Sequence, residues 1–316
     1  MKQISKTFLT CMLLSNFSST ASSQGIWSEL PATLIKRTES TAATIGSKIY
    51  LLGGFTPKGI SRKLDVWDST SRTWSRGEPL PRGLHHTTAS VVNGKLYVIG
   101  GFDSSTWRPV RTNYEYDPAT NLWTVKSSMP TARGAHAAAV IEGKIYLIGG
   151  VHRKLFRLVN TTSHEMYDPK TNTWKTQPPI PTGRDHLTAS AIGNTLYAIG
   201  GRMNLDYNRN LNINESYDVK TRIWTQRSQL PTARSGITSQ ILNGWIHVFG
   251  GESEEKTFVQ NEAYNPKADK WKLFKPMPSG RHGLASVVID EKIHILTGGA
   301  KPGGKGSDIH YIFKLK

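Results

Sequence analysis

The chain is 316 residues long, with 37% hydrophobic residues, 29 glycines and a single cysteine. That length would allow two domains, the lone cysteine excludes a disulfide framework, and no apolar run reaches the roughly 20 residues that span a bilayer. Forty Lys and Arg against 23 Asp and Glu give a net charge of +17, which predicts attraction to acidic partners.

Residues 1–23 form the first predicted element. Lys2 and Lys6 precede the apolar stretch 8–14, and small polar residues ending in Ala21-Ser22-Ser23 follow. That order of charged, apolar and small residues is that of a secretory signal. Cleavage between Ala21 and Gly25, and a secreted or periplasmic destination, are expected. Cys11 lies in this segment, but Leu9-Thr10 ahead of it poorly matches a lipid-anchoring context. Without Lys2 and Lys6 the charge is +15, and the remaining chain, 24–316, holds no cysteine.

From Trp27 onward the sequence repeats itself. Gly-Gly pairs fall at 53–54, 100–101, 149–150, 200–201, 250–251 and 298–299, with spacings of 47, 49, 51, 50 and 48 residues. Trp27, Trp74, Trp123, Trp174, Trp224 and Trp271 keep the same beat. A period near 50 marks one supersecondary unit used over and over, and a propeller blade fits it. The second repeat shows the unit. An apolar run 89–92 meets Asn93-Gly94, a two-residue hairpin signal. The strand 95–99 then stops at the glycine pair. A polar loop, a strand 113–117, an Asp117-Pro118 turn and a strand from Trp123 follow. The predicted fold is therefore all-β: a six-bladed propeller whose blades are four-stranded antiparallel meanders. The last repeat supplies only three strands, and the segment 26–31 looks like an orphan fourth. It is expected to pair with the last repeat and close the ring, hiding the sheet edges.

Sixteen residues before each glycine pair stand Arg37, Leu84, Arg133, Arg184 and Arg234, and Arg281 stands 17 before the last. Rotational repetition predicts that the five guanidiniums ring one mouth of the central channel, where forked cations suit carboxylate, sulfate or phosphate. His85, His86, His136, His186 and His282 follow those positions, with Glu39 and Asp185 the only acids among them. Glu39, Asp185 and His186 are the candidate catalytic groups. The loops after the glycine pairs carry Trp107, Arg153 and Tyr207, aromatics and a cation suited to an anionic sugar. With Arg37, Arg133, Arg184, Arg234, Arg281, His86 and His136 they complete the candidate ligand-binding set. No HExxH or other fixed-spacing ligand pair occurs, so neither a metal nor a cofactor is expected. The stretch 299–305 imitates a P-loop, but Gly306 replaces the hydroxyl residue and a strand follows, so nucleotide binding is not expected. The basic residues are dispersed, so nucleic acid is not an expected partner either.

The ordered motif Pro-x-x-Arg, hairpin, Gly-Gly and Tyr-Asp-Pro-x-Thr-x-x-Trp, best copied at 116–123 and 167–174, resembles the kelch repeat over residues 26–313. In kelch substrate adaptors, similar arginines line the face that grips acidic peptides, which implies that role for Arg37, Arg133, Arg184, Arg234 and Arg281. Exported six-bladed members include sialic-acid mutarotases, so the resemblance also implies a sugar-epimerising alternative. Galactose-oxidase chemistry needs a cysteine crosslinked to tyrosine, which residues 24–316 lack. The expected activity is binding of an acidic glycan, small molecule or peptide by a monomer, with the mutarotase and a protein-binding scaffold as alternatives.

Overall fold

The computed structural model describes residues 25–316, so the expected signal segment 1–23 lies outside it. Six four-stranded antiparallel sheets follow one another as blades. The first is Thr41–Ile45, Lys48–Leu52, Leu64–Asp68 and Thr73–Gly77, and the pattern recurs to the last, Ala285–Ile289, Lys292–Leu296 and His310–Lys314. Ile26–Glu29 is that last blade's outer strand, in register Ile26↔Lys314 through Glu29↔Tyr311. The ring is therefore closed by the predicted N-terminal segment.

The two-residue turns bring the second strand of each blade into full burial, as in Ile49, Leu51, Leu96, Val98, Leu147 and Leu196. Each outer-strand tryptophan stacks on the aromatic ring opposite it on the third strand, for instance Tyr116–Trp123 at 4.9 Å and Tyr264–Trp271 at 5.2 Å. Its indole N–H then crosses to the preceding blade. Trp123 donates to Glu78 O, Trp174 to Ser127 O, Trp224 to Pro178 O and Trp271 to Ser228 O. Trp74 donates to Pro31 O and Trp27 to Lys275 O, which carries the pattern across the closure.

The glycine pairs make the second set of inter-blade contacts. The N–H of Gly54 donates to Leu84 O of the next blade, Gly101 to Arg133 O, Gly150 to Arg184 O, Gly201 to Arg234 O, Gly251 to Arg281 O and Gly298 to Arg37 O. A Cβ on Gly53 would stand 2.7 Å from Leu84 O, and Gly53 has φ +67°, so only glycine fits both the turn and the approach. The loop of the third repeat departs from expectation. It is a hairpin, Val151–Lys154 with Arg157–Asn160, whose tip exposes Leu155 and Phe156.

Candidate functional site

The residue two places after each arginine position has left-handed backbone: Glu39, His86, Ala135, His186, Gly236 and Gly283, with φ between 50° and 65°. Their peptides form a closed collar around the channel. Glu39 N–H donates to Gly283 O, His86 to Glu39, Ala135 to His86, His186 to Ala135, Gly236 to His186 and Gly283 to Gly236, all at 2.8–3.1 Å. Each non-glycine member holds a conformation that costs on the order of 1–3 kcal/mol. The collar is the device that aims Glu39, His86 and His186 at one point from three blades.

Above it lies a cavity of about 510 Å³, walled by Phe55, Trp107 and Tyr207 and rimmed by Lys305. Glu39, His86, His186, Arg202, Glu252 and His282 form its floor. Gly283 makes room for one of them: a Cβ there would overlap the Glu39 carboxylate. Glu39 Oε1 accepts from His282 Nδ1 at 3.1 Å, and Glu39 Oε2 lies 3.1 Å from His86 Nε2. His282 Nδ1 is also 3.2 Å from Glu252 Oε2. Arg202 bonds Glu252 Oε1 at 3.0 Å and His186 Nε2 at 3.0 Å, and its guanidinium lies 4.2 Å over the Tyr207 ring. Asp185 holds His186 Nδ1 at 2.6 Å from behind.

These contacts set the charges. Burial pushes the Glu39 carboxyl up, but the hydrogen bond and charge of His282 act the other way, and its pKa lies well below the usual carboxylate range. Burial pulls His282 down, and the bonded Glu39 with Glu252 more than reverses that, so its pKa is raised. Burial drives His86 well below its ordinary value and His85 down to about 4. Burial also opposes the charge on Asp185, but His186, Arg202 and Asn160 keep its pKa low. The floor thus carries both signs, with the Glu39 carboxylate near the Arg202 guanidinium and His282 drawn toward its charged form.

Of the candidate residues, Glu39, His86, His186, Trp107 and Tyr207 meet in this cavity. Asp185 stands behind it, fully buried. His136 faces the channel below the collar, where its Nε2 lies 3.3 Å from Thr88 Oγ1. Arg153 lies on the exposed third-blade hairpin, away from the cavity.

The five arginines require a correction. Arg37, Arg133, Arg184 and Arg234 are completely buried and Arg281 nearly so. Their side chains run into their own blades rather than to the channel mouth. Arg37 meets Asp65 at 2.5 Å and Arg184 meets Glu215 at 2.6 Å, while Arg133 pairs with Glu165 and Arg234 with Glu262. Arg184 also donates to Thr182 O, Ala198 O and Gly200 O. Arg281 bonds Ser307 and Ser279 instead of an acid. What these positions offer the preceding blade is a carbonyl, as the glycine contacts show. A sequence signal was present. The acid sits second in the third strand of four repeats, and where Leu84 replaces Arg the same place holds Tyr114.

Sequence reasoning passed over Glu252 and Lys305 and left Arg202 undistinguished among loop cations. The residues directly after the glycine pairs are Phe55, Phe102, Val151, Arg202, Glu252 and Ala300. Only two are charged, they have opposite signs, and they come from adjacent blades. That difference between repeats marked the pair.

The sequence profile described as the KLHDC2/KLHL20/DRC7 Kelch-repeats domain matches residues 14–150 and 159–316, and the Kelch motif profile matches 132–181. The chain belongs to the kelch-repeat family. Among kelch relatives, the Kelch-like protein terF of Aspergillus terreus (strain NIH 2624 / FGSC A1156) is 31% identical over 196 residues. That match covers 56% of this chain and only 43% of terF, so this kelch chain aligns with less than half of that relative. The solved structure of YjhT superposes with a TM-score of 0.81 at 18% identity, over 92% of this chain and 98% of that one. At that identity the likeness is one of fold. No helix among the described residues is long and apolar enough to cross a membrane.

Proposed function

We propose that this propeller is an exported binding protein for an acidic sugar, held in the cavity above the collar. The observation that carries the reading is the convergence of polar groups from five blades under three aromatic walls. Carboxylates and imidazoles in a floor accept and donate to hydroxyls, aromatic walls cover a sugar ring, and a rim cation takes an acid group. Lys305 is that cation, and the net charge of +17 draws anions toward it. Arg37, Arg133, Arg184, Arg234 and Arg281, enclosed in their own blades, have no part in this reading. The charged, apolar and small-residue order of residues 1–23 supports export.

A sugar mutarotase is the second reading, favoured by the Glu39–His282 pair, which can hold or pass a proton at the cavity floor. Docking of an acidic peptide or a protein partner at the same mouth is the third. Thermal stability in the presence of sialic acid, uronic acids, sulfated sugars and their neutral counterparts separates these. The acidic sugars are expected to raise Tm and the neutral ones to do so less. Trp107→Ala should remove the effect, and Lys305→Ala should erase the preference for acid. Faster anomer exchange by NMR would turn the reading to catalysis. No stabilisation by any sugar would sink both.

A further inference from the structure

The floor of the cavity holds a set of lone pairs with too few protons to satisfy them. His85 Nε2 lies 3.0 Å from Ser104 O, a carbonyl that can only accept, so His85 carries its proton there and its Nδ1 is bare. His86 Nδ1, 2.6 Å away, must then be the donor between the two rings. That leaves His86 Nε2 bare, yet it faces Glu39 Oε2 at 3.1 Å, acceptor against acceptor. His186 is fixed in the same sense. Its Nδ1 donates to Asp185 Oδ1 at 2.6 Å, so its Nε2 is bare as well. One ring nitrogen from each of His86 and His186 and one Glu39 oxygen lie within 4.8 Å of one another. The array lacks one positive charge. A proton could join two of these atoms, but a metal ion joins all three.

We propose that Glu39, His86 and His186 form a site for a divalent first-row cation, such as zinc, on the propeller axis. Two imidazoles and one carboxylate with open positions are a donor set for such ions. Asp185 behind His186 and His85 behind His86 fix the ring tautomers, as partners behind metal-bound imidazoles do. Ser104 O does the same for His85. The neighbouring group Glu39, Glu252 and His282 does not need an ion, because His282 Nδ1–H satisfies both carboxylates at 3.1 and 3.2 Å. Arg202 Nη2 now donates to His186 Nε2 at 3.0 Å, and that contact is the one the ion displaces. Arg202 keeps Glu252 and the face of Tyr207 when it yields. The open positions of the ion face the cavity, where an oxygen of a bound ligand can complete them.

The test uses chelator-treated full-length protein titrated with zinc and, for its visible spectrum, cobalt(II). One ion per chain is expected, with cobalt bands of low coordination number. Asn tolerates left-handed backbone, so Glu39→Asn, His86→Asn and His186→Asn keep the collar. Each should weaken zinc binding at least about 100-fold, and Asp185→Asn about 10- to 100-fold. In the unaltered protein, the Nε2 resonances of His86 and His186 should shift together on adding zinc, a readout independent of how the variants fold. Zinc binding retained in His86→Asn and His186→Asn, or no change at those two nitrogens, overturns the site. Because ion binding needs no sugar, failure of the sugar titration leaves this result intact.

Discussion

Arg184 and Glu215 show how a repeated charge can be architectural. The guanidinium is enclosed, and three of its bonds go to backbone carbonyls of its own blade. Leaving one member of such a pair buried alone is costly, about 3–5 kcal/mol. Glu215→Gln should therefore lower the unfolding free energy in urea by that order. The second blade solves the same place with Leu84 and Tyr114, both buried and apolar. Arg184→Leu combined with Glu215→Tyr should recover most of the loss, and a double variant no better than the single one would refute the pairing account. The periodicity of the arginines was legible in sequence, but that periodicity alone did not give the direction of their side chains. Rotational symmetry places six equivalent atoms on a circle and does not say whether they point inward. The acid two-thirds of a repeat away did say so, through Leu84 and Tyr114.

At the scale of the element, the outer strand Ile26–Glu29 carries an unusual share of the assembly. Trp27 packs against Phe313 at 5.0 Å and Phe249 at 5.9 Å, and its N–H bonds Lys275 O of the fifth blade. One side chain thus joins the last two blades. Trp27→Ala should cost up to about 3 kcal/mol, since the indole is half-buried. Removing 26–31 should lower Tm much further, and an unchanged melting curve would contradict closure by this strand. Strand order and turns were readable because Asn-Gly and Glu-Gly turns sit between apolar runs. The third-blade hairpin was not, because His152, Arg153 and Lys154 hide the alternation and its tip residues Leu155 and Phe156 reach no core.

For the whole molecule, histidine burial sets the response to acid. His85, His164, His247 and His294 are pushed by burial down to about 4 and His310 to about 3. Groups whose folded pKa is depressed stay neutral above the unfolded value of about 6.5, and the unfolded chain binds their protons first as pH falls. Their contribution is complete above about 6.5 and is lost on descent toward 4. His282 is raised and acts oppositely: its contribution is complete below about 6.5 and fades as pH rises through its folded value. Burial lowers His86, His136 and His152 too, so eight depressed imidazoles stand against one raised one. Urea midpoints should fall steeply between pH 6.5 and 4 and change little from 7 to 8; equal midpoints at 6.5 and 4.5 would contradict this. The site itself was only half legible. Glu39, His86 and His186 were visible because they break the repeat beside a marked position. Glu252 stood out only when the repeats were compared, because its partner lies 50 residues away in the neighbouring blade.

The collar has used up its own amides. All six N–H groups at the positions from Glu39 to Gly283 are spent on the neighbouring peptide, and all six carbonyls with them. A visiting molecule therefore finds no free main-chain N–H there to grip, and donors at the collar must come from side chains. Exchanging those side chains, within the limits of positive φ, would re-address the propeller to a different guest while its scaffold stays as it is.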